Sequence, residues 1–199
     1  CKTAVMAIWL VARACGAKLP RRLVYVVDRR AVVDQATEVA EGLRAWLGRT
    51  PAATSALLLA PEKPLPISTL RGQFADNREW LSDPSATAIV VGTVDMVGSR
   101  LLFEGYGVSR KMRPYHAGLL GADTLLVLDE AHLVPPFEAL LETISGSSAL
   151  APSDPVLRGV IPPLRLLSLS ATGKATQGTF RLTPADEVHS VVRKRLDAP

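Results

Sequence analysis

The chain has 199 residues, 48% of them hydrophobic but only 5% aromatic, and a formal net charge of +4. That length suits one large domain whose core is built from aliphatic side chains, and the charge permits a nucleic-acid partner without demanding one. Two cysteines, Cys1 and Cys15, exclude a disulfide framework and a cysteine-type metal site, so a reducing cytoplasmic compartment is the default.

The apolar stretch 4–12 is too short to span a bilayer, meets Arg13 at once, and does not have the form of a signal peptide. No membrane association is expected. Val5, Ile8, Trp9 and Ala12 share one face of a predicted helix, and Gly16 is placed to end it. The chain lacks an initiating Met and begins inside this helical pattern, which reads as a fragment of a longer protein. Residues 23–27 form a short apolar run, predicted to be a buried strand. Val32, Ala36, Val39, Leu43 and Trp46 then recur at helical spacing, with Asp28 as the expected N-terminal cap beside Arg29 and Arg30.

Residues 51–66 are rich in proline, and 57–59 and 67–70 are strand candidates. Residues 88–93 make a stronger strand, followed by a predicted helix over 95–102. Residues 105–114 read as a loop carrying Arg110, Lys111 and Arg113. A further strand is predicted over 124–128 and a helix over 137–144. The Pro-, Gly- and Ser-rich stretch 147–163 reads as a connection. A last apolar run, 164–169, is predicted to be buried, and 180–182 to add an edge strand.

Apolar strands alternating with helices imply an α/β fold: a parallel sheet with helices on both faces. Ligands of such sheets bind outside the carboxyl ends of the strands. Four polar clusters follow the predicted strands directly: Asp28-Arg29-Arg30, Thr93, Asp129-Glu130 and Ser170-Ala171-Thr172. They should share one rim.

Among these, Asp129-Glu130-Ala131-His132 carries the most chemistry. An Asp leaving a buried strand can order the shell of a Mg²⁺ ion on a nucleotide, and the Glu after it can orient a hydrolytic water. Two adjacent acids at a helix N-terminus would explain the pair alone, but the full tetrapeptide after an apolar strand favours the site. His132 is positioned to relay a hydrogen bond toward the serine and threonine of the next strand. Lys2-Thr3, entering a helix, match the last two positions of a phosphate-binding loop, with Lys2 for phosphates and Thr3 for Mg²⁺. Cys1 stands where that loop's second glycine belongs.

Lys2-Thr3, Asp129-Glu130-Ala131-His132 and Ser170-Ala171-Thr172, in that order, resemble motifs I, II and III of superfamily 2 helicases. Asp28-Arg29-Arg30 and Gly92-Thr93-Val94-Asp95 fall where the family's strand-contacting motifs lie. The stretches "VGTVDM", "HAGLLGADTLLVLDEAHL" and "LSLSATG" are most similar to the helicase–nuclease of type I CRISPR systems, subtype U.

The resemblance implies a RecA-like motor domain over 1–183, with 184–199 leading toward a second RecA-like domain. It further implies ATP and Mg²⁺ as ligands, held by Lys2, Thr3 and Asp129, with Glu130 on the water. Ser170, Ala171, Thr172 and His132 would couple nucleotide state to grip, and Arg29, Arg30, Thr93 and Asp95 would line a single DNA strand. A CRISPR surveillance complex is the implied partner. None of His116, His132 and His189 is followed by Asp, so the family's nuclease metal pair is not expected on this chain. Two alternatives stand beside this reading: another superfamily 2 helicase acting on DNA or RNA, and a catalytically silent nucleic-acid- or partner-binding module.

Overall fold

The computed structural model describes residues 2–71, 77–150, 152–170 and 182–197. Helix α1 (Ala4–Ala14) leads into β1 (Arg22–Val27), followed by α2 (Arg30–Gly48), α3 (Pro51–Ala56) and β2 (Ile67–Leu70). Next come α4 (Glu79–Ser82), β3 (Ala88–Thr93), α5 (Val94–Leu101), α6 (Arg113–Gly121) and β4 (Thr124–Asp129). Helices α7 (Pro135–Gly146) and α8 (Pro155–Val160) precede β5 (Arg165–Leu169), and α9 (Pro184–Glu187) and α10 (Ser190–Leu196) follow.

The five strands pair in the order β2-β3-β1-β4-β5, all parallel. Pleating sends alternate residues to opposite faces. Leu23, Tyr25, Val27, Ile89, Val91 and Val127 pack with side chains of α1, α2 and α3, including Met6, Trp9, Val33 and Ala36. Val24, Val26, Val90, Leu126 and Leu128 pack on the other face with Trp80, Val97, Leu120 and Leu141 from α4, α5, α6 and α7. With helices on both faces, β1 and β3 are buried along their whole length, which is why their sequences read as continuous apolar runs. This is the α/β, RecA-like arrangement expected from the sequence.

Gly16 ends α1 as expected, at φ +87°. Its N–H donates to Arg13 O and that of Ala17 to Ala12 O, each at 2.9 Å, a paired closure that a left-handed glycine permits.

Several local expectations are corrected. In α1 the buried residues are Met6, Trp9 and Leu10, while Ile8 lies exposed. Arg29, not Asp28, occupies the cap position of α2, and no side chain caps that end. Residues 57–59 form no strand: Leu58 stands 94% exposed in the left-handed region. The loop expected over 105–114 ends early, because α6 starts at Arg113 with a proline in its first turn, where the missing N–H costs nothing. The connection expected over 147–163 contains α8, capped by the Asp154 carboxylate accepting from Val156 N–H at 2.7 Å. Among the described residues β5 is an edge strand, with Arg165, Leu167 and Ser168 exposed. Of the edge strand expected over 180–182, only Leu182 is among the described residues, and it lies in no strand.

Candidate functional site

Because every strand runs the same way, the residues following β1, β3, β4 and β5 meet at one rim. At its centre is Asp129, the last residue of β4, only 8% exposed. Both its oxygens are held. Oδ2 accepts a hydrogen bond from the Tyr25 hydroxyl at 2.7 Å, and Oδ1 accepts from Glu130 N–H at 2.9 Å. The Lys2 ammonium lies 3.2 Å from Oδ1, so the carboxylate has the charge partner its burial requires.

Tyr25 is not among the site residues expected from the sequence. It sits in an apolar run, paired in register with Val127, two positions before Asp129. Two strand residues span roughly 6.6 Å, a gap that a tyrosine side chain covers. Burial, together with the hydrogen bond to Asp129, pushes the phenol pKa up. The hydroxyl therefore stays protonated and keeps donating. The available signal was a single polar tip in an otherwise aliphatic strand.

Glu130 adopts φ 51° and ψ 45°, a left-handed conformation that costs a non-glycine residue about 1–2 kcal/mol. This turns the chain sharply from β4 into the 3₁₀ turn Ala131–Leu133. The Glu130 carboxylate is 2.5 Å from the Lys2 ammonium through one oxygen and 3.4 Å from His132 Nδ1 through the other. His132 Nδ1 also shares a hydrogen bond with Ser170 Oγ at 3.0 Å. One continuous polar chain thus joins Lys2, Asp129, Glu130, His132 and Ser170.

Lys2 and Thr3 form the turn that enters α1, with Thr3 at the cap position without a side-chain cap bond. The positive end of the α1 dipole consequently faces the two acids. Burial works against the Lys2 ammonium, but hydrogen bonds and charge from Glu130 and Asp129 outweigh it and raise the pKa. Lys2 is a cation at any physiological pH.

The remaining expected residues form a second group, on neighbouring strands. Arg29 and Arg30 follow β1 and are exposed. Thr93, paired in register with Val27, closes β3. Its hydroxyl accepts from Met96 N–H at 3.4 Å and caps α5, so this buried threonine has a structural task. Asp95 is exposed in the first turn of α5. Cys1, Ala171 and Thr172 lie outside the described residues.

Among the described residues no cluster of three or more His, Cys, Asp or Glu side chains could hold a metal ion by itself. A nucleotide-bound Mg²⁺ asks for less, because phosphate oxygens and water fill most of its shell and one or two protein ligands suffice. Asp129, already beside an ammonium, and Thr3 fit that donor set. No helix among the described residues is long and apolar enough to cross a membrane. Compared with models of known protein families, with curated proteins and with solved structures, the chain has no match.

Proposed function

We propose that this chain carries the nucleotide site of an ATP-driven motor that moves on single-stranded DNA. In this reading it is the first RecA-like unit of a CRISPR-associated superfamily 2 helicase that works beside a nuclease domain. The observation that carries the reading is the polar chain through Lys2, Asp129, Glu130, His132 and Ser170. Three sequence motifs, far apart along the chain, contribute to one cluster at the carboxyl rim of a parallel sheet.

Each residue then has a physical task. The Lys2 ammonium, in contact with both acids, moves onto the β- and γ-phosphates when ATP enters, exchanging one pair of anions for another. Thr3 and Asp129 would hold Mg²⁺, which when bound neutralises the phosphate oxygens during transfer. The Tyr25 hydroxyl fixes the orientation of Asp129. Once Lys2 has left it, the Glu130 carboxylate is free to orient the attacking water. His132 links Glu130 to Ser170 at the end of β5, a route by which the state of the nucleotide reaches the neighbouring strand. Arg29 and Arg30 supply exposed cations for the DNA backbone, where contacts set register without reading sequence. Recruitment by a CRISPR surveillance complex rests on the similarity of residues 91–96, 116–133 and 167–173 to that family.

The test is Glu130→Gln in the complete protein. The amide keeps size and polarity but cannot polarise water, so hydrolysis should fall at least about 100-fold. ATP binding should persist, because Lys2, Thr3 and Asp129 are untouched. Hydrolysis at the wild-type rate would remove Glu130 from the reaction.

A further inference from the structure

Aromatic residues are scarce in this chain, and Trp9, Tyr25, Trp80 and Phe137 are buried. Phe103 and Tyr106, in the loop between α5 and α6, are instead 59% and 61% exposed. The loop that carries them is tightly fixed. Phe103 N–H donates to Arg100 O at 3.2 Å, and Glu104 and Gly105 N–H both donate to Ser99 O, at 2.8 and 3.0 Å. Val108 N–H donates to Gly105 O at 3.1 Å, and Arg113 pairs with Glu104 at 2.9 Å.

Phe103, Gly105 and Gly107 all lie in the left-handed region, at φ +62°, +65° and +69°. A Cβ on Gly105 would also come within 2.9 Å of Val108 Cγ2. Strain at a non-glycine residue is retained where the surroundings enforce it. The bonds from Phe103 and Glu104 are the paired closure of the carboxyl end of α5, with Phe103 in the left-handed position, and the backbone fixed in this way leaves both rings exposed.

Tyr106 borders a hollow of about 630 Å³, walled also by Val94, Asp95, Leu102, Arg113 and Phe137. Val94 and Asp95 directly follow β3, so the hollow opens beside the rim. Its lining offers apolar faces, the carboxylates of Asp95 and Glu104, and the Arg113 guanidinium that pairs with Glu104. An unpaired nucleobase has the matching character: a flat face that stacks, amino groups that donate to a carboxylate, and ring nitrogens and carbonyls that accept from a guanidinium. Arg110 and Lys111, exposed in the same loop, supply positive charge for the flanking phosphates.

We propose that this hollow is a base-stacking site for single-stranded nucleic acid, with Tyr106 as the platform. The inference rests on the motor reading in one respect, that the rim handles a single strand. It adds a second kind of contact, to base faces, next to the backbone contacts assigned to Arg29 and Arg30.

Binding of a single-stranded oligonucleotide containing 2-aminopurine, followed by fluorescence in the complete protein, tests this. Tyr106→Ala should weaken binding roughly tenfold and reduce the stacking-dependent quenching, while Tyr106→Trp should restore both. The salt dependence of binding should not change, since no phosphate contact is lost. The double variant Arg110→Ala/Lys111→Ala should instead flatten the salt slope by about 1.4 on a single strand. Wild-type affinity and quenching in Tyr106→Ala would overturn the stacking site and leave the motor reading standing. Failure of the wild-type protein to bind the oligonucleotide would overturn both.

Discussion

At the amino ends of the strands, Arg22 is almost wholly buried, and its two terminal nitrogens donate to fixed acceptors. Leu119 O lies at 2.6 Å, Pro84 O at 3.0 Å, Ala122 O at 3.3 Å and Thr124 Oγ1 at 3.4 Å. Arg21 beside it pairs with Asp123, whose carboxylate also accepts the Arg21 backbone N–H. At the carboxyl ends, the Lys2 side chain is about one-third exposed, with its buried ammonium against two carboxylates. The two ends differ in what their charges can exchange. Arg22 holds loops together through groups that have nowhere else to go. The Lys2 ion pair can open whenever a ligand offers equivalent charges. Strain is divided differently as well, because the left-handed Glu130 carries a proposed reactive carboxylate, whereas the left-handed Asp123 is part of a static pair.

The largest stability effect should therefore fall at the amino end. Arg22→Ala strands several buried carbonyls and should destabilise the fold by about 3 kcal/mol. Lys2→Ala takes the cation from the buried Asp129 but leaves its hydrogen bonds from the Tyr25 hydroxyl and Glu130 N–H, and should cost less, about 1–2 kcal/mol. Urea denaturation of both variants checks the contrast, and equal losses would erase the distinction drawn between the two ends.

A smaller effect isolates the strain at the rim. Glu130→Gly and Glu130→Ala both remove the carboxylate, but only glycine relaxes at φ 51°. The glycine variant should be more stable than the alanine variant by about 1 kcal/mol, read as a difference in denaturation midpoint at constant slope. Hydrolysis should be lost in both. Equal stabilities would mean that the left-handed turn stores no strain.

Much of this contrast was legible in the sequence at one end only. The strands at 23–27, 88–93 and 124–128 announced themselves because residues covered on both faces read as near-continuous apolar runs. The acids stood out because charge cannot remain inside such a run. Tyr25 stayed hidden because its hydroxyl works at the rim while its ring belongs to the core. On α2 the expected Ala36 is buried, but its buried neighbours are Val33, Ala40 and Leu47, one position along from Val32, Val39 and Trp46. Ala36 and Ala40 let the helix approach the sheet closely, and the larger Val32, Leu43 and Trp46 pack at its flanks, only partly buried. The buried role of Arg22 was illegible, since its acceptors are backbone carbonyls brought in from Pro84, Leu119 and Ala122 by tertiary structure. Strand β5 misled because apolar composition does not distinguish a central strand from an edge.

If the Lys2 ion pair is to exchange its acids for a metal-bound nucleotide, the complete protein must bind ATP at the rim. Calorimetric titration of the complete protein with ATP, with and without Mg²⁺, tests it most directly. Saturable binding is expected that depends on Mg²⁺ and weakens at least about tenfold in Lys2→Ala, the loss of one desolvated charge contact. No saturable binding, or binding indifferent to both Mg²⁺ and Lys2, would contradict it and leave the rim as a static ion-pair cluster like the one at the opposite end of the sheet.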